Sequence, residues 1–344
     1  MIINQINNQT RLIDYIETYK KKYDKIFLLT QKSIIQYYPS MEKLDINILI
    51  CRETEECKSI LEYETIIKTL SNKHCNKKSL IIGMGGGAIT DLSGFVASSY
   101  MRGIKHVLIP TTLLGMVDAS IGGKTALNIN NVRNLIGCFY SPAEVLLCFD
   151  FLQTLNQQEM CNGYAEIIKY ALILDYQLFE LLETNIALLI NSINIKTLEP
   201  IIQICIKHKL NVVKTDQFDD NYRMILNFGH TVGHALESYY NYKLSHGQAI
   251  IYGMEISSYL SYKEGFLNHN QYNRIEALIR QFNLPKLKNI NIKKIKDLMN
   301  NDKKNIHNKL NYIMLTNIGE AKITKNYSKE KILDAFKYYE YFGD

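Results

Sequence analysis

The chain has 344 residues, of which 47% are hydrophobic and 22% are charged, and its formal net charge is +6. This length exceeds the usual size of a single hydrophobic core, so we expect two domains. The composition is that of an ordinary globular protein, and it lacks the dense basic stripe with interleaved aromatic residues that favours nucleic-acid binding. The lysine-rich stretches at 20–22 and 287–304 are most simply solvated faces.

Signals for membrane insertion and for disulfide bonding are weak. The amino terminus has no apolar signal core, and no uncharged apolar run approaches the roughly 18 residues of a spanning helix. The seven cysteines are odd in number and scattered, without a CxxC pair, which favours reduced thiols. We therefore predict a cytoplasmic protein that has neither a nucleic-acid partner nor a membrane partner.

The first 150 residues alternate strand-like and helix-like patterns. Short apolar runs predict buried strands, and they lie at 25–30, 46–50, 79–82, 107–109 and 145–149. Helices are predicted at 55–70 and 88–101. This alternation predicts an α/β domain over residues 1–150, with a mostly parallel sheet covered by helices.

From about residue 150 the pattern changes to long helical stretches. They lie at 157–184, 187–214, 223–240, 246–264 and 269–282. Two short apolar segments, 310–315 and 321–324, predict a hairpin, and a last helix is predicted at 328–340. Residues 151–344 are therefore predicted to form a mainly α-helical domain.

The stretch 223–246 concentrates side chains that carry chemistry. It holds three of the eight histidines, and His230 and His234 are four residues apart, which places them on one face of a helix. Asn227 and Arg223 continue that face of the predicted helix 223–240, and His246 follows a predicted turn and opens the next helix. With a carboxylate from elsewhere, these imidazoles can hold a divalent metal with an open position. A single histidine is more often a surface or core residue, but this combination favours a metal site.

A glycine loop at 83–87 follows the third predicted strand and precedes a predicted helix. Absent side chains let a phosphate approach backbone N–H groups, and a helix N-terminus supplies partial positive charge. The spacing Gly83-x-Gly85-x-x-Ala88 fits the dinucleotide pattern, yet no acidic residue follows about 20 positions later. A simple tight turn is therefore an alternative.

The loop-like segment 110–125 is rich in hydrogen-bond donors and favours an anion site over a simple turn. Its GGKT sequence at 122–125 is not a Walker loop, because Asp118 stands where that motif needs glycine. Cationic side chains near these motifs suit a small substrate that bears phosphate and carboxylate groups, although several of them can equally be surface charges. They are Arg102, Lys124, Arg133, Lys169, Lys209 and Arg223.

Taken together, these motifs resemble those of the 3-dehydroquinate synthase family. The matching segments run in family order over nearly the whole chain. They are GGGAITDLSGFVASSYMRG (85–103), PTTLLGMVDASIGGKTALN (110–128), RNLIGCFYSP (133–142), FLQTL (151–155), GYAEIIKYALI (163–173), RMILNFGHTVGHALE (223–237) and HGQAIIYGM (246–254).

The resemblance implies an N-terminal Rossmann-like domain that binds NAD+ and a helical C-terminal domain that binds Zn²⁺, with Co²⁺ as an alternative. The implied metal ligands are Glu166, His230 and His246. The implied NAD+ positions are Glu55, Lys58, Gly85, Gly86, Gly87, Asp91, Thr111, Thr112, Asp118, Lys124, Arg133, Thr154 and Leu155. The implied substrate and catalytic positions are Arg102, Lys124, Asn134, Lys169, Lys209, Arg223, Asn227, His234 and Lys304, with Lys303 as the alternative register. Arg102 is expected to reach the site of a neighbouring subunit, which implies a homodimer.

The chain departs from the family pattern at several positions. Arg133 replaces a common Lys, Gln248 a common Glu, Ala126 a common Gly and Asn156 a common Pro, and the glycine that usually follows Lys304 is missing. A planar guanidinium does not replace an ammonium point charge freely. None of these departures removes an implied metal ligand, so we expect them to affect rate and local geometry.

The implied reaction converts 3-deoxy-D-arabino-heptulosonate 7-phosphate to 3-dehydroquinate and phosphate, through transient oxidation, elimination, re-reduction and aldol closure. Three alternatives share parts of this pattern. A related sugar-phosphate cyclase would act on another ketose phosphate, a metal-dependent alcohol or glycerol dehydrogenase would accumulate NADH, and an NAD-binding scaffold would have no activity. Lys209, Arg223 and Asn227 favour a substrate carboxylate and hence the first reaction.

Overall fold

The structure is a computed structural model that describes residues 1–130, 132–287, 290–300 and 310–341. The chain divides into two compact units, Met1–Glu159 and Met160–Asp344. The domain boundary that the sequence places near residue 150 precedes this division and stays a prediction. The predicted substrate lysine, Lys304 or Lys303, lies outside the described residues.

The first unit is built on a parallel sheet in which the strands lie in the order β1-β8-β5-β4-β2-β3. The strands of this unit are β1 (Ile2–Gln5), β2 (Ile26–Gln31), β3 (Asn47–Cys51), β4 (Leu80–Gly85), β5 (Lys105–Pro110), β6 (Lys124–Ile129), β7 (Val132–Phe139) and β8 (Glu144–Leu147). The neighbouring strands β2 and β4 are apolar and buried along their whole length, as strands are when helices cover both faces. The predicted α/β class with a Rossmann-like parallel sheet is confirmed.

The helices of the first unit are α1 (Gln9–Thr18), α2 (Lys32–Tyr37), α3 (Ile60–Asn72) and α4 (Gly87–Ser99). The predicted helix 55–70 is wrong at its start, because Thr54–Lys58 form a separate 3-10 turn. The chain then extends at Ser59, whose hydroxyl accepts the Glu62 N–H and caps α3. This cap decides where the α-helix begins, and it leaves Glu55 and Lys58 in the preceding turn.

The loop-like segment 110–125 is followed by an antiparallel hairpin of β6 and β7, which the sequence analysis did not predict. The hairpin was missed because β7 is exposed along nearly its whole length, so its sequence carries no alternation of buried and exposed positions. Strand β1 is also missing from the sequence prediction. It is only four residues long and has exposed ends, and it is held at the sheet edge by its pairing with β8.

The second unit is mainly helical, as predicted. Its helices are α5 (Gln157–Leu174), which begins just before the division, α6 (Tyr176–Asn191), α7 (Ile195–Thr215), α8 (His230–Tyr239), α9 (His246–Lys263), α10 (His269–Arg280), α11 (Ile292–Asn300) and α12 (Lys329–Tyr341). The predicted hairpin is present as β9 (Tyr312–Asn317) and β10 (Glu320–Thr324). The predicted α9, α10 and α12 match within a few residues.

Three predicted helices of this unit are interrupted in the structure. The stretch 187–214 breaks between α6 and α7, where the side chain of Asn194 accepts the Thr197 N–H and caps α7. The stretch 157–184 breaks at Asp175, whose carboxylate accepts the Leu178 N–H and caps α6. The stretch 223–240 breaks at Gly229, whose φ of 77° is left-handed. The residues Tyr222–Asn227 form a 3-10 turn before that break. The prediction that Arg223 and Asn227 continue the face of His230 on one helix is therefore wrong.

The core of the second unit holds α8 against α9. Val232 and Leu236 from α8 and Tyr252 and Ile256 from α9 are buried together with Phe336 from α12. Burying each such side chain stabilises the fold by about 1.5–3 kcal/mol. The packing of these apolar faces sets the separation of the two helices that begin with histidine.

The cysteines are free thiols, and most of them are buried. Burial raises the pKa of the Cys148 and Cys161 thiols to about 11, so they stay protonated at neutral pH. In the part of the chain that the structure describes, we find no helix with the length and apolar character needed to span a bilayer.

His106 on β5 is a buried histidine in the first unit. Its ring stacks on Tyr140 at a centroid distance of 5.2 Å, and neither ring nitrogen has a hydrogen-bond partner among the described residues. Burial lowers the pKa of His106 to about 4, so the imidazole is neutral in the folded protein at pH 7.

We predict that His106 makes the fold acid-sensitive. Between pH 6.5 and about 4 the unfolded chain binds a proton at this site that the folded chain does not, so stability falls as pH falls. The expected slope is about 1.4 kcal/mol per pH unit. His106→Phe keeps a ring against Tyr140 and should remove this slope from urea unfolding curves measured across the window. Parallel pH profiles for the two proteins would contradict the prediction.

Candidate functional site

A carboxylate and two imidazoles converge in the second unit. Glu166 lies on α5 and is only 1% exposed, whereas His230 and His246 are the first residues of α8 and α9. The Nε2 atoms of both histidines lie 3.6 Å from the same oxygen, Oε1 of Glu166. The three predicted metal ligands are therefore brought together, with one ligand atom of each within 4.8 Å of the others.

This donor set fits a divalent cation. A separation of 3.6 Å is too long for a hydrogen bond, but it suits two atoms that each bind one ion at about 2 Å. Two imidazoles and one carboxylate are the ligand types of catalytic zinc sites, and three protein ligands leave a position open. The structure therefore supports a site for such an ion at Glu166, His230 and His246.

Glycines allow the backbones of these helices to approach closely. A Cβ on Gly253 of α9 would lie 1.9 Å from the carbonyl oxygen of Gly229, just before α8. A Cβ on Gly247 would lie 2.6 Å from the Cα of Asn162 on α5. The Gly247 N–H also donates a 2.7 Å hydrogen bond to Oδ1 of Asn162, one turn before Glu166. These contacts place the first turn of α9 beside the helix that carries the carboxylate.

The backbone orients the first histidine. The Nδ1–H of His230 donates to the carbonyl oxygen of Phe228 at 3.1 Å, because a carbonyl can only accept. This contact leaves the Nε2 lone pair directed to the side of Glu166. The left-handed Gly229 between the two residues makes the turn that allows it.

The second histidine contacts two carboxylates. Nε2 of His246 faces Glu166, and Nδ1 lies 3.5 Å from Oε2 of Glu237 on α8. Burial lowers the pKa of His246, but its interactions with Glu166 and Glu237 outweigh burial and raise the pKa to about 10. A bound cation would displace the proton that these carboxylates favour.

Glu237 was missed in the sequence analysis. With His234 and His246 it forms a second group of potential ligands, which shares His246 with the first. A signal was present in the sequence, because Glu237 follows His230 and His234 by seven and three residues and so lies on the same face of α8. The ring of His234 lies 5.2 Å from that of His230 and 6.4 Å from that of His246.

Buried cationic side chains mark the predicted positions. Among the described residues, the buried lysines and arginines are Lys58, Lys169, Lys209 and Arg223. All of them belong to the residues predicted from the sequence. Burying a charge is costly unless it is paired, so these positions are not ordinary surface charges. The alternative that the predicted substrate cations are surface charges is therefore wrong for Lys169, Lys209 and Arg223.

Contacts of two buried cations show how they are held. Nζ of Lys169 bonds to Oε2 of Glu166, which leaves Oε1 facing the two imidazoles. Nη1 of Arg223 donates to the carbonyl oxygen of Gln217 at 2.6 Å, and its backbone N–H donates to Oδ2 of Asp216 at 3.0 Å. Asp216 thus organises the turn that carries Arg223, and the sequence analysis did not include it.

The buried cation of the first unit, Lys58, lies in a polar network. Its Nζ is 2.7 Å from Oδ2 of Asp91 and also bonds to Oδ1 of Asn134. The Asn134 N–H donates to Oδ1 of Asn128 at 2.9 Å, and Nδ2 of Asn128 donates to Glu55 at 2.8 Å. Glu55, Lys58, Asp91 and Asn134 were predicted, and the structure brings them together. Asn128 was not singled out as a site residue, although it ends one of the matching segments.

Lys58 and Asp91 each stabilise the charged form of the other. Burial lowers the pKa of Lys58, but the carboxylates of Asp91 and Glu55 outweigh it and hold the pKa above the ordinary value. Burial raises the pKa of Asp91, whereas an ammonium group at 2.7 Å favours the carboxylate form. We therefore take the pair as ionised at neutral pH.

The glycine loop lies where the prediction places it, between β4 and the first turn of α4. The N–H of Thr111 donates to the carbonyl oxygen of Gly85 at 2.9 Å. A Cβ on Gly86 would lie 3.1 Å from Cγ2 of Thr112, so the two loops pack together. Backbone N–H groups at the start of α4, with no side chain before them, suit a phosphate.

The remaining predicted residues of the first unit lie on several elements. Thr154 ends a 3-10 turn, and its hydroxyl is 2.5 Å from that of Tyr38. The others are Leu155 after that turn, Asp118 in a π-helical turn at Gly115–Ala119, Lys124 at the start of β6, Arg133 on β7 and Arg102 in the exposed turn after α4. The backbone of Arg102 is left-handed, with φ of 61°.

The structure explains one departure from the family pattern. Gln248 is the third residue of α9, and its Oε1 accepts the N–H of Ser245 at 3.1 Å while the Ser245 hydroxyl accepts the N–H of Gln248. This reciprocal pair is a capping box, in which glutamine and glutamate serve equally. The substitution therefore preserves the start of the helix that carries His246.

Both halves of the chain match models of one protein family. The family model described as 3-dehydroquinate synthase N-terminal matches residues 48–162, and the one described as 3-dehydroquinate synthase C-terminal matches residues 163–305. A 3-dehydroquinate synthase of Dictyoglomus turgidum is 37% identical over 332 residues, which cover 95% of this chain and 93% of the relative. One of Clostridium tetani is 36% identical over 337 residues, covering 96% and 90%.

Solved structures share the fold. The 2-epi-5-epi-valiolone synthase of Streptomyces hygroscopicus subsp. jinggangensis, with NAD+ and Zn²⁺ bound, has a TM-score of 0.88 at 24% identity and covers 98% of this chain and 96% of its own. A 2-deoxy-scyllo-inosose synthase, complexed with carbaglucose-6-phosphate, NAD+ and Co²⁺, has a TM-score of 0.87 at 23% identity with the same coverage. At these identities the similarity shows a common fold.

We predict that Gly247→Ala weakens metal binding. The added methyl group would overlap the α5 backbone and push the first turn of α9 away from Glu166, at a cost of about 1–3 kcal/mol. The expected result is a zinc dissociation constant that rises about tenfold or more in chelator competition. Gly265→Ala is the control, because its Cβ meets nothing within 4 Å and only its left-handed backbone is strained. Equal zinc affinity in Gly247→Ala and the wild type would contradict the prediction.

Proposed function

The chain belongs to the 3-dehydroquinate synthase family, and from this premise we propose that it converts 3-deoxy-D-arabino-heptulosonate 7-phosphate to 3-dehydroquinate and inorganic phosphate. The observation that carries the proposal is the agreement between motif and burial in the second unit. There, the described lysines and arginines that are buried, Lys169, Lys209 and Arg223, are the residues implied to bind substrate, and they accompany the Glu–His–His group. A fold without a polyanionic ligand gains little from burying three cations.

We assign a divalent cation, Zn²⁺ or alternatively Co²⁺, to Glu166, His230 and His246. We assign NAD+ to the first unit, at the Gly85–Gly87 loop and the network around Lys58. When bound, the cation supplies Lewis acidity toward a substrate hydroxyl, and NAD+ supplies a reversible hydride acceptor.

Lys169 orients the carboxylate of Glu166. Its ammonium group occupies Oε2, so Oε1 is the oxygen that both imidazoles face. The charge of Lys169 also offsets that of Glu166 in a buried place, since both side chains are almost fully inaccessible. Loss of this lysine would leave a buried carboxylate free to rotate away from the ion.

Arg223, Lys209, Asn227 and His234 bind the anionic groups of the substrate in this proposal. A guanidinium group presents a planar fork that matches phosphate and carboxylate oxygens. Burial strengthens such contacts, because the effective dielectric constant is lower than in water. The carbonyl oxygen of Gln217 already holds one arm of Arg223 in place, which reduces the entropy lost on binding.

In the first unit, Lys58 holds the β6–β7 hairpin in position. Through Asn134 and Asn128 it ties the hairpin to the 3-10 turn that carries Glu55, and through Asp91 it ties the hairpin to α4. Together with Thr111 and Thr112, this arrangement frames the N-terminus of α4, where the pyrophosphate of NAD+ would bind.

Further parts of the proposal rest on the sequence resemblance. They are the carbon–oxygen lyase class, a cytoplasmic location, and a homodimer in which Arg102 reaches the neighbouring site. The exposed left-handed turn at Arg102 agrees with such a contact. The roles of Lys124 and Asn134 toward the substrate, and that of Lys304, also stay predictions.

We predict phosphate release that depends on substrate, NAD+ and metal, without net formation of NADH. Purified protein is treated with chelator, reloaded with Zn²⁺ or Co²⁺, and assayed for phosphate and for absorbance at the NADH band. Chelation should abolish release, and metal should restore it. Sustained accumulation of NADH would indicate a dehydrogenase, and turnover of a ketose phosphate that lacks the carboxylate would indicate another cyclase.

We predict that Arg223→Ala lowers kcat/KM by about 10²–10³-fold, because it removes charge-assisted bonds in a buried place. Arg223→Lys should recover only part of this loss, since an ammonium group lacks the fork. The control is Arg280→Ala, because the Arg280 side chain is 71% exposed and pairs with Glu276 at the surface. A kcat/KM in Arg223→Ala within about threefold of the wild type would contradict the assigned role.

A further inference from the structure

We infer that Glu237 is a positioning residue that fixes the tautomer and the orientation of His246 and thereby strengthens metal binding. The inference rests on the metal site of the proposed function, and it concerns a residue outside the ligand set. Glu237 lies on α8, two turns after His230, and is buried. It thus connects the helix of one histidine to the side chain of the other.

The two overlapping groups of potential ligands cannot each bind a cation through a neutral His246 at the same time. His246 belongs to both, with Nε2 on the side of Glu166 and Nδ1 on the side of Glu237. A neutral imidazole has one nitrogen with a lone pair and one N–H. A cation on Nε2 therefore leaves the proton on Nδ1, and this N–H can donate a hydrogen bond to Glu237. A second cation on Nδ1 would require the ring to lose both protons.

Charge favours the same arrangement. A buried carboxylate is costly without compensation, and an imidazole N–H backed by a divalent ion supplies it. The distance between Nδ1 and Oε2 is 3.5 Å, and the inference requires it to shorten to the ~2.8 Å of a charge-assisted hydrogen bond when Nε2 binds the ion. When Glu237 accepts this hydrogen bond, Nε2 becomes a more basic ligand for the ion.

The two histidine ligands are oriented by different means. Nδ1 of His230 is held by the carbonyl oxygen of Phe228, a backbone contact that no side-chain substitution removes. Nδ1 of His246 faces the side chain of Glu237, with 3.5 Å between Nδ1 and Oε2. The orientation of His246 can therefore be changed by mutation while that of His230 stays as an internal reference.

The test measures zinc affinity rather than turnover. Glu237→Gln keeps an acceptor oxygen but removes the charge, and Glu237→Leu removes both. We expect the zinc dissociation constant, from chelator competition at fixed pH, to rise about tenfold in Glu237→Gln and about 100-fold in Glu237→Leu. The stoichiometry should be one zinc ion per chain in each protein.

A second readout separates orientation from general destabilisation. In the zinc-bound wild type, imidazole ¹⁵N–¹H spectra should show both His230 and His246 with the proton on Nδ1 and the metal on Nε2. In Glu237→Leu the Nδ1–H signal of His246 should shift upfield and exchange faster with water. The signal of His230 should not change.

Asp175→Asn is the matched control. The Asp175 carboxylate lies 2.7 Å from Nε2 of His208 in the same unit, and neither residue belongs to a potential metal group among the described residues. Asparagine also keeps the cap of α6. This variant loses a carboxylate–histidine pair of the same kind and should bind zinc as the wild type does. Circular dichroism of the metal-free proteins shows whether each variant folds. If Glu237→Leu does not fold, the zinc affinity of Glu237→Gln alone tests the inference.

Two results would overturn the inference. One is a zinc dissociation constant within twofold of the wild type in Glu237→Gln and Glu237→Leu. The other is a second zinc ion in the wild type that Glu237→Gln abolishes, which would make Glu237 a ligand. A wild-type protein that binds no zinc would instead refute the metal site of the proposed function, so the two failures are distinguishable.

Discussion

The close approach of three helices in the second unit is the constraint on which the rest of the site depends. Gly247 lets the first turn of α9 touch the backbone of α5, and Gly253 lets α9 touch the turn before α8. Because side chains at these points would overlap backbone atoms, the separation of the helices follows from the absence of Cβ atoms. The carboxylate of Glu166 and the two imidazoles then share one place, with Asn162 bonded to the backbone of α9 as an additional tie.

Buried charge is the second organising principle, and it operates separately in each unit. In the second unit Lys169 holds Glu166, and in the first Lys58 holds Asp91 and Asn134. Such pairs add little net stability, because desolvation offsets most of the attraction. Their effect is to fix the orientation of neighbouring groups: Oε1 of Glu166 faces the imidazoles, and the β6–β7 hairpin is tied to α4 through Lys58. We infer a similar effect for the buried carboxylate of Glu237, which would orient the imidazole of His246.

Local interactions account for the errors of the sequence analysis. The cap at Asp175 and the left-handed Gly229 each interrupt a continuous apolar pattern, so helices that periodicity joins are separate in the structure. The β6–β7 hairpin escaped notice because β7 is exposed and has no alternating pattern. Asp216 acts through backbone contacts within an irregular turn, which has no periodic pattern. Asn128 acts through Glu55, which is distant in sequence, and Glu237 lies on a helix face for which the sequence analysis considered only other side chains. In contrast, Gln248 looked like a departure of consequence, and the capping box shows that it preserves the helix start.

The amino-acid sequence alone determined the α/β class of the first part, the helical character of the second and the glycine loop. Through motif resemblance it also predicted which residues are the metal ligands and the substrate-binding cations. These properties follow from hydrophobic periodicity, composition and the spacing of residues within short motifs, all of which are local features of the chain. Only the tertiary structure decided that both imidazoles face the same oxygen of Glu166, that Lys58, Lys169, Lys209 and Arg223 are buried, and that Glu237 lies against Nδ1 of His246. These are distances and solvent accessibilities between elements far apart in the chain, and they arise only when the helices pack.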